Sequence, residues 1–111
     1  MFHYLDVESK LAEEGAQETR IRWLITKDDG AKNFAMRLFE VDVGGYTPLH
    51  KHAWEHEIFV LEGEGQVLGE EGTKQIVPGD VIYIPPNENH QLKNTGKRKL
   101  KFLCLIPYLD V

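Results

Sequence analysis

Apolar and polar positions alternate along most of this chain with the two-residue period of half-buried strands, and no stretch carries a long helical period. Thr19 to Thr26 alternates in this way and predicts a long early strand. Asp28-Asp29-Gly30 turns the chain, and Phe34 to Val43 predicts a second strand ended by Gly44-Gly45. Leu49 to His52 reads as short and extended, and Glu57 to Glu62 as a strand stopped by Gly63. Gln66 to Leu68 and Lys74 to Val77 flank Gly69 to Gly72 as a hairpin. Val81 to Ile84 follows the turn Pro78-Gly79-Asp80 and is stopped by Pro85-Pro86. Asn89 to Lys93 and Leu100 to Ile106 complete the set, with a turn at Asn94 to Lys97 between them and Pro107 closing the last strand. The polar stretch Glu8 to Glu18 predicts a short helical turn or a loop. Short strands at this spacing predict an all-β sandwich or barrel. A single domain over residues 1–111 is expected, with its core at about 34–107 and an N-terminal extension at 1–18.

Composition narrows the function classes. One chain of 111 residues with a formal charge of -5 is a poor match to nucleic-acid binding, which needs cationic surface to displace counterions. No run of eighteen apolar residues is present to span a membrane. The start, Met1-Phe2-His3-Tyr4-Leu5-Asp6, lacks the basic and apolar regions of a signal peptide. One cysteine, Cys104, excludes an internal disulfide framework. A cytoplasmic setting is the expectation.

Chemistry concentrates in histidine. His50 and His52 are alternate residues, which an extended segment turns to one face. His56 follows four residues on, and His90 comes from a distant strand-like segment. Imidazole is the commonest protein metal ligand. His3 lies near the terminus and is read as surface.

The same residues carry a family resemblance. Gly44, five residues, His50-x-His52, His56 or Glu57, then Gly63 forms one box. Gly79, five residues, Pro85-x-Asn87, two residues, His90, three residues, Asn94 forms another. Together they resemble the cupin boxes G-x5-H-x-H-x3,4-E-x6-G and G-x5-P-x-G-x2-H-x3-N. The likeness covers roughly Phe34 to Pro107, with fifteen residues between Gly63 and Gly79. Gly63 comes one residue early when counted from Glu57, and Asn87 stands where box two has glycine, a substitution that asparagine's tolerance of positive φ permits. The family's ligand Glu falls at His56 or at Glu57, and neighbouring strand residues cannot both face inward. Counted back from the Gly63 turn, His56, Ile58 and Val60 share one face and Glu57, Phe59 and Leu61 the other. His-x-His-x-Trp-Glu-His resembles a subgroup of small cupins with four histidines, usually loaded with manganese, and this selects His56.

The resemblance implies a double-sheet jelly roll, the cupin barrel, commonly paired as a homodimer. It implies one divalent transition metal ion per chain on His50, His52, His56 and His90, with manganese first and iron, zinc, nickel or copper as alternatives. Phe102 and Cys104 share a face with Leu100 and Ile106, and are expected to wall a substrate pocket or simply pack the core. Trp54, between the ligands, forms a lid, a dimer contact or ordinary packing. Arg37, on an apolar face, needs a salt-bridge partner or a substrate anion. Glu55 and Glu57 are candidates to orient the imidazoles. Phe39, Phe59, Leu61 and Leu105 are candidate outer positions for a dimer. The first functional expectation is a manganese- or iron-dependent dioxygenase acting on a small aromatic or enolic substrate. The others are a non-redox isomerase or decarboxylase, and a non-catalytic small-molecule binder.

Overall fold

The computed structural model describes residues 1–108; the last three residues of the expected domain, 109–111, lie outside the described residues. The strands are β1 (Lys10–Leu11), β2 (Gln17–Ile25), β3 (Phe34–Tyr46), β4 (His56–Glu62), β5 (Gly65–Gly69), β6 (Gly72–Ile76), β7 (Val81–Ile84), β8 (Gln91–Asn94) and β9 (Leu100–Pro107). They pair antiparallel in the order β6-β5-β8-β3-β9-β4-β7, with β2 added to β3 and β1 to β2. The fold is all-β, a curled jelly-roll barrel. Among the described residues no helix is long and apolar enough to cross a membrane.

Alternation decides what the barrel encloses. On β3, Ala35, Arg37, Phe39 and Val41 are buried along one face. On β9, Leu100, Phe102 and Cys104 are buried, and on β4, His56, Ile58 and Val60. Register brings these sets together: Phe39 pairs with Phe102, Arg37 with Cys104, and β4 supplies Ile58 to Cys104 and Val60 to Phe102. The Phe39 and Phe102 rings stack at 5.0 Å and 7°. Phe39 is therefore a core residue, which removes it from the candidate outer positions; Phe59 and Leu61, on the opposite face of β4, are exposed.

The N-terminal extension is a cover rather than a tail. Arg22 on β2 bonds Glu40 at 2.9 Å and the Val7 carbonyl at 2.6 Å, and Arg20 binds Ser9 through its side-chain and backbone oxygens. Glu40 is buried under this layer. Of the two expectations for Glu8 to Glu18, the loop is what forms: it carries the short strand β1 and a turn at Glu14-Gly15 before leading into β2 at Gln17.

β3 does not end at Gly44-Gly45 as the glycines predict. It runs on to Tyr46, with Gly44 at φ +81° and a register shift between Gln17 and Thr19 opposite it. The irregularity bends the strand so that its far end meets β8 at Lys93. Gly63 closes β4 under a different constraint. Its φ is +82°, and a Cβ there would lie 2.4 Å from the Lys99 carbonyl oxygen. Gly63→Ala is expected to destabilise the fold by about 1–3 kcal/mol from the left-handed backbone alone, and by more through the clash. Urea unfolding measures this, and a loss within about 0.3 kcal/mol, inside the noise of surface substitutions, contradicts it.

Candidate functional site

The site begins where β3 hands over to the following loop. Thr47 is buried and clamps β8: its N–H donates to the Leu92 carbonyl, its hydroxyl accepts from the Leu92 N–H, and its carbonyl accepts from the Gln91 side chain, each at 2.9 Å. Three residues on, His50 and His90 form an isolated antiparallel bridge, with N–H to carbonyl distances of 3.2 and 2.9 Å. His50 and His90 are thus bridge residues beside the sheet, and His52 lies outside any strand. The Asn87 N–H donates to the His52 carbonyl at 2.6 Å, and Asn87 sits at φ 66°, in the conformation box two assigns to glycine. Asn94 completes the frame. Its amide donates to the carbonyls of Val41 and Arg98, and its side-chain oxygen accepts from the Gly96 N–H.

The four imidazoles gather around one cavity. Ring centroids are 4.2 Å apart for His50 and His52, 5.0 Å for His50 and His90, 4.7 Å for His56 and His90, and 5.3 Å for His52 and His56. His56 is buried and faces inward with Ile58, while Glu57 faces outward and is exposed. The cavity of about 30 Å³ has room for roughly two waters. Arg37, Phe102 and Cys104 line it. Trp54 stacks flat on His52, at 4.3 Å and 7°.

A carboxylate joins the cluster that no motif announced. One ligand atom each of Glu13, His50 and His52 lie within 4.8 Å of one another, and Glu13 Oε1 is 3.7 Å from His50 Nδ1. Two residues after Glu13, Gly15 turns the chain at φ +95° and packs its bare Cα side on Pro48, where a Cβ would lie 3.3 Å away. In sequence, Glu13 is one of several acidic residues in a polar stretch, and only Gly15 beside it marks a turn.

The electrostatics favour neutral imidazoles. Burial, then repulsion from His90 and Arg37, pushes His56 down to about 3. Burial first, with His52 and His90 adding, lowers His50, and burial lowers His52. All three therefore carry a free lone pair at neutral pH. Nδ1 of His56 is buried without a hydrogen-bond partner among the described residues. His90 Nδ1 sits 3.0 Å from the Glu88 carbonyl, which fixes that ring and leaves Nε2 for the cavity. A donor set of this kind fits a divalent transition ion.

Glu55 and Glu57, expected to orient the imidazoles, pair with each other instead. Their shared hydrogen bond, then burial, raises the exposed Glu57 carboxyl to about 7. The ring of His90 is oriented by the Glu88 carbonyl, and the Glu13 carboxylate lies 3.7 Å from His50 Nδ1, beyond hydrogen-bond reach.

A larger cleft of about 250 Å³ opens between β5–β6 and β7, the two terminal strands of the sheet, with His90 on its inner wall. Val67, Ile82, Tyr83 and Ile84 line it, and Lys74 and Glu88 contribute polar groups.

A β-barrel with inward histidines contributed by two separate segments defines a class of small histidine-lined jelly rolls. The chain belongs to the cupins: the Cupin_2 family, the cupin domain, matches residues 37–106. Among solved structures, the polyketide cyclase RemF from Streptomyces resistomycificus superposes with a TM-score of 0.90 at 39% identity, over 96% of this chain and 78% of that one. A predicted oxalate decarboxylase from Thermotoga maritima gives 0.85 at 28% identity, over 98% and 99% of the two chains. An oxalate-binding protein from Thermotoga maritima is 34% identical over 83% of this chain and 78% of its own length. An uncharacterised protein of Methanocaldococcus jannaschii is 43% identical over 58% of this chain and 52% of its own length. A 1-methylthio-D-xylulose 5-phosphate methylsulfurylase of Rhodospirillum rubrum is 31% identical over 64% of this chain. The chain spans about half the length of these last two curated relatives.

Proposed function

We propose that this cupin is a metal-dependent enzyme in which His50, His52, His56 and His90 hold one divalent transition ion and present it to a small oxygen-donor substrate. The observation that carries the reading is the gathering of four imidazoles on one cavity, with the buried Nδ1 of His56 lacking a hydrogen-bond partner among the described residues. The ion, when bound, supplies a Lewis acid for a substrate oxygen. Manganese comes first on the resemblance of His-x-His-x-Trp-Glu-His, followed by iron, zinc, nickel and copper, which nitrogen ligands also suit.

The chain's own groups favour proton chemistry over oxygen chemistry. Abstraction of a proton beside a carbonyl needs a base close to the polarised oxygen. The Glu13 carboxylate, next to His50 and His52, is that base. Phe39, Phe102 and Ile58 exclude water behind the site, and the wider cleft beyond His90 takes the rest of the substrate. The likeness to a polyketide cyclase supports the same reading. The dioxygenase expected from the sequence differs in one measurable respect, its need for O2. Turnover of an enolisable carbonyl compound by the zinc-loaded protein without oxygen, lost in Glu13→Gln with metal content retained, is the expected result. Oxygen uptake with the manganese or iron form, and no anaerobic turnover, returns the dioxygenase to first place.

The homodimer expected from the resemblance rests on an outer apolar strip, Phe59, Leu61, Val81 and Tyr83, all exposed on the neighbouring strands β4 and β7. Light scattering at micromolar concentration is expected to give twice the chain mass, and a monomer removes the proposal.

A further inference from the structure

Arg37 is a charge without a counter-charge in the part of the barrel where one is hardest to hold. Its side chain is buried, at 8% exposure, on a face otherwise made of Ala35, Phe39 and Val41. Guanidinium stays protonated in proteins, so burial cannot neutralise it as it would a lysine. Among the described residues no carboxylate lies within ion-pair distance of it. Among the described residues its side-chain hydrogen-bond partner is the neutral Cys104 thiol, at 3.0 Å from Nη2, while Nε is buried with no hydrogen-bond partner. The planar group is held between aromatic faces, 4.9 Å from the Phe39 centroid and 5.3 Å from that of Trp23. Aromatic faces fix its orientation and offset part of its charge, but satisfy none of its N–H donors.

Position gives this group a use. Arg37 lines the same cavity as the four histidines, with Cys104 and Phe102 beside it. A rigid fork of donors, with Nε buried and unpartnered among the described residues, matches a planar oxyanion. A fixed, buried positive charge also selects against a neutral ligand, because the ligand would leave the charge unpaired.

We infer that Arg37 is the anion-recognition residue of this site, and that the ligand is a planar oxyanion, a carboxylate or a phenolate, with one oxygen directed to the histidine centre and the anionic end engaged by the Arg37 guanidinium. The inference deepens the proposed function, since it rests on the same cavity being the binding site. Arg37 positions and selects the ligand. Cys104 serves as the neutral neighbour that keeps the fork turned inward without competing as an anion, since burial raises its thiol.

Calorimetry tests this with two probes, oxalate for carboxylates and catechol at a pH where it is ionised for phenolates, each on metal-loaded and metal-free protein with metal content measured in parallel. Oxamide, the neutral diamide of oxalate, is the control. At least one anion is expected to bind, oxamide to bind at least about 10-fold more weakly than oxalate if oxalate is that anion, and Arg37→Met to weaken anion binding about 10- to 100-fold with metal content unchanged. Arg37→Lys keeps the charge but loses the fork, so it is expected to fall between the two, and it serves where Arg37→Met fails to fold. Anion affinity unchanged in both variants, equal binding of oxamide and oxalate, or no anion binding to wild type overturns the inference. Wild-type protein that takes up no metal overturns the metal reading separately, and the metal-free arm still decides the role of Arg37.

Discussion

His56→Ala lowers divalent-metal affinity by at least about 100-fold, and Glu57→Ala changes it by less than about 3-fold. The contrast follows from which of two neighbouring residues faces the cavity. His56 is buried beside His90, its pKa held down to about 3 by burial first and then by repulsion from His90 and Arg37, so it offers a lone pair at any working pH. Glu57 points away, shares its proton with Glu55 and pairs in register with Tyr83 and Leu105. Even residues that only orient a ligand are worth about 10- to 100-fold in metal affinity, so loss of a ligand itself sets the lower bound at the top of that range. Competition against a chromogenic chelator with zinc or manganese measures both variants. A larger loss in Glu57→Ala than in His56→Ala reverses the assignment of the third ligand, because it requires the β4 register to slip by one residue in solution.

Much of this site is legible in the amino-acid sequence, for physical reasons that differ from residue to residue. The inward facing of His56 follows from counting back from Gly63, because side chains alternate in facing along a strand and Gly63 is fixed by its φ and by the Lys99 carbonyl. The turn at Asn87 is readable because asparagine is one of the few residues besides glycine that accept φ near +60°. The meeting of His50 and His52 matches the expectation, though not by the expected means. A bridge to His90 and a bond from Asn87 hold them, with no regular strand. Long-range meetings without a pattern of their own leave no mark in the sequence. Glu13 lies beside His50 where the Gly15 turn packs on Pro48, and nothing in a run of acidic residues distinguishes the one that does. The orienting role at His90 falls to the Glu88 carbonyl, a backbone atom that every residue carries. Phe39, expected on the outside, shares the inward parity of Arg37 and Val41; its stacking on Phe102 makes parity within β3 the better guide. β3 runs past Gly44-Gly45 because glycine at positive φ can bend a strand as well as end it.

Phe102→Ala costs about 3–5 kcal/mol of stability, a large part of what a domain of this size holds in reserve. Phe102 is 2% exposed, stacks on Phe39, and takes Val60 as its cross-strand neighbour from β4, so it is the place where β3, β9 and β4 interlock. Truncation leaves a void that rigid antiparallel strands on both sides cannot collapse, and the cavity contribution adds to the lost transfer energy. The void also opens directly onto the histidine cavity, whose wall Phe102 forms. Phe102→Leu retains most of the volume and separates the two consequences: it is expected to cost less than about 2 kcal/mol and to leave metal affinity within a few-fold. Val43→Ala, at a position 57% exposed on β3 and outside the apolar strip of β4 and β7, is the control and is expected to stay within about 0.5 kcal/mol of wild type. Urea unfolding of the metal-free proteins with an unchanged m-value is the measurement. A Phe102→Ala loss no larger than that of Val43→Ala means that the barrel interior is not packed around this ring, and the water-excluding wall assigned to the site goes with it.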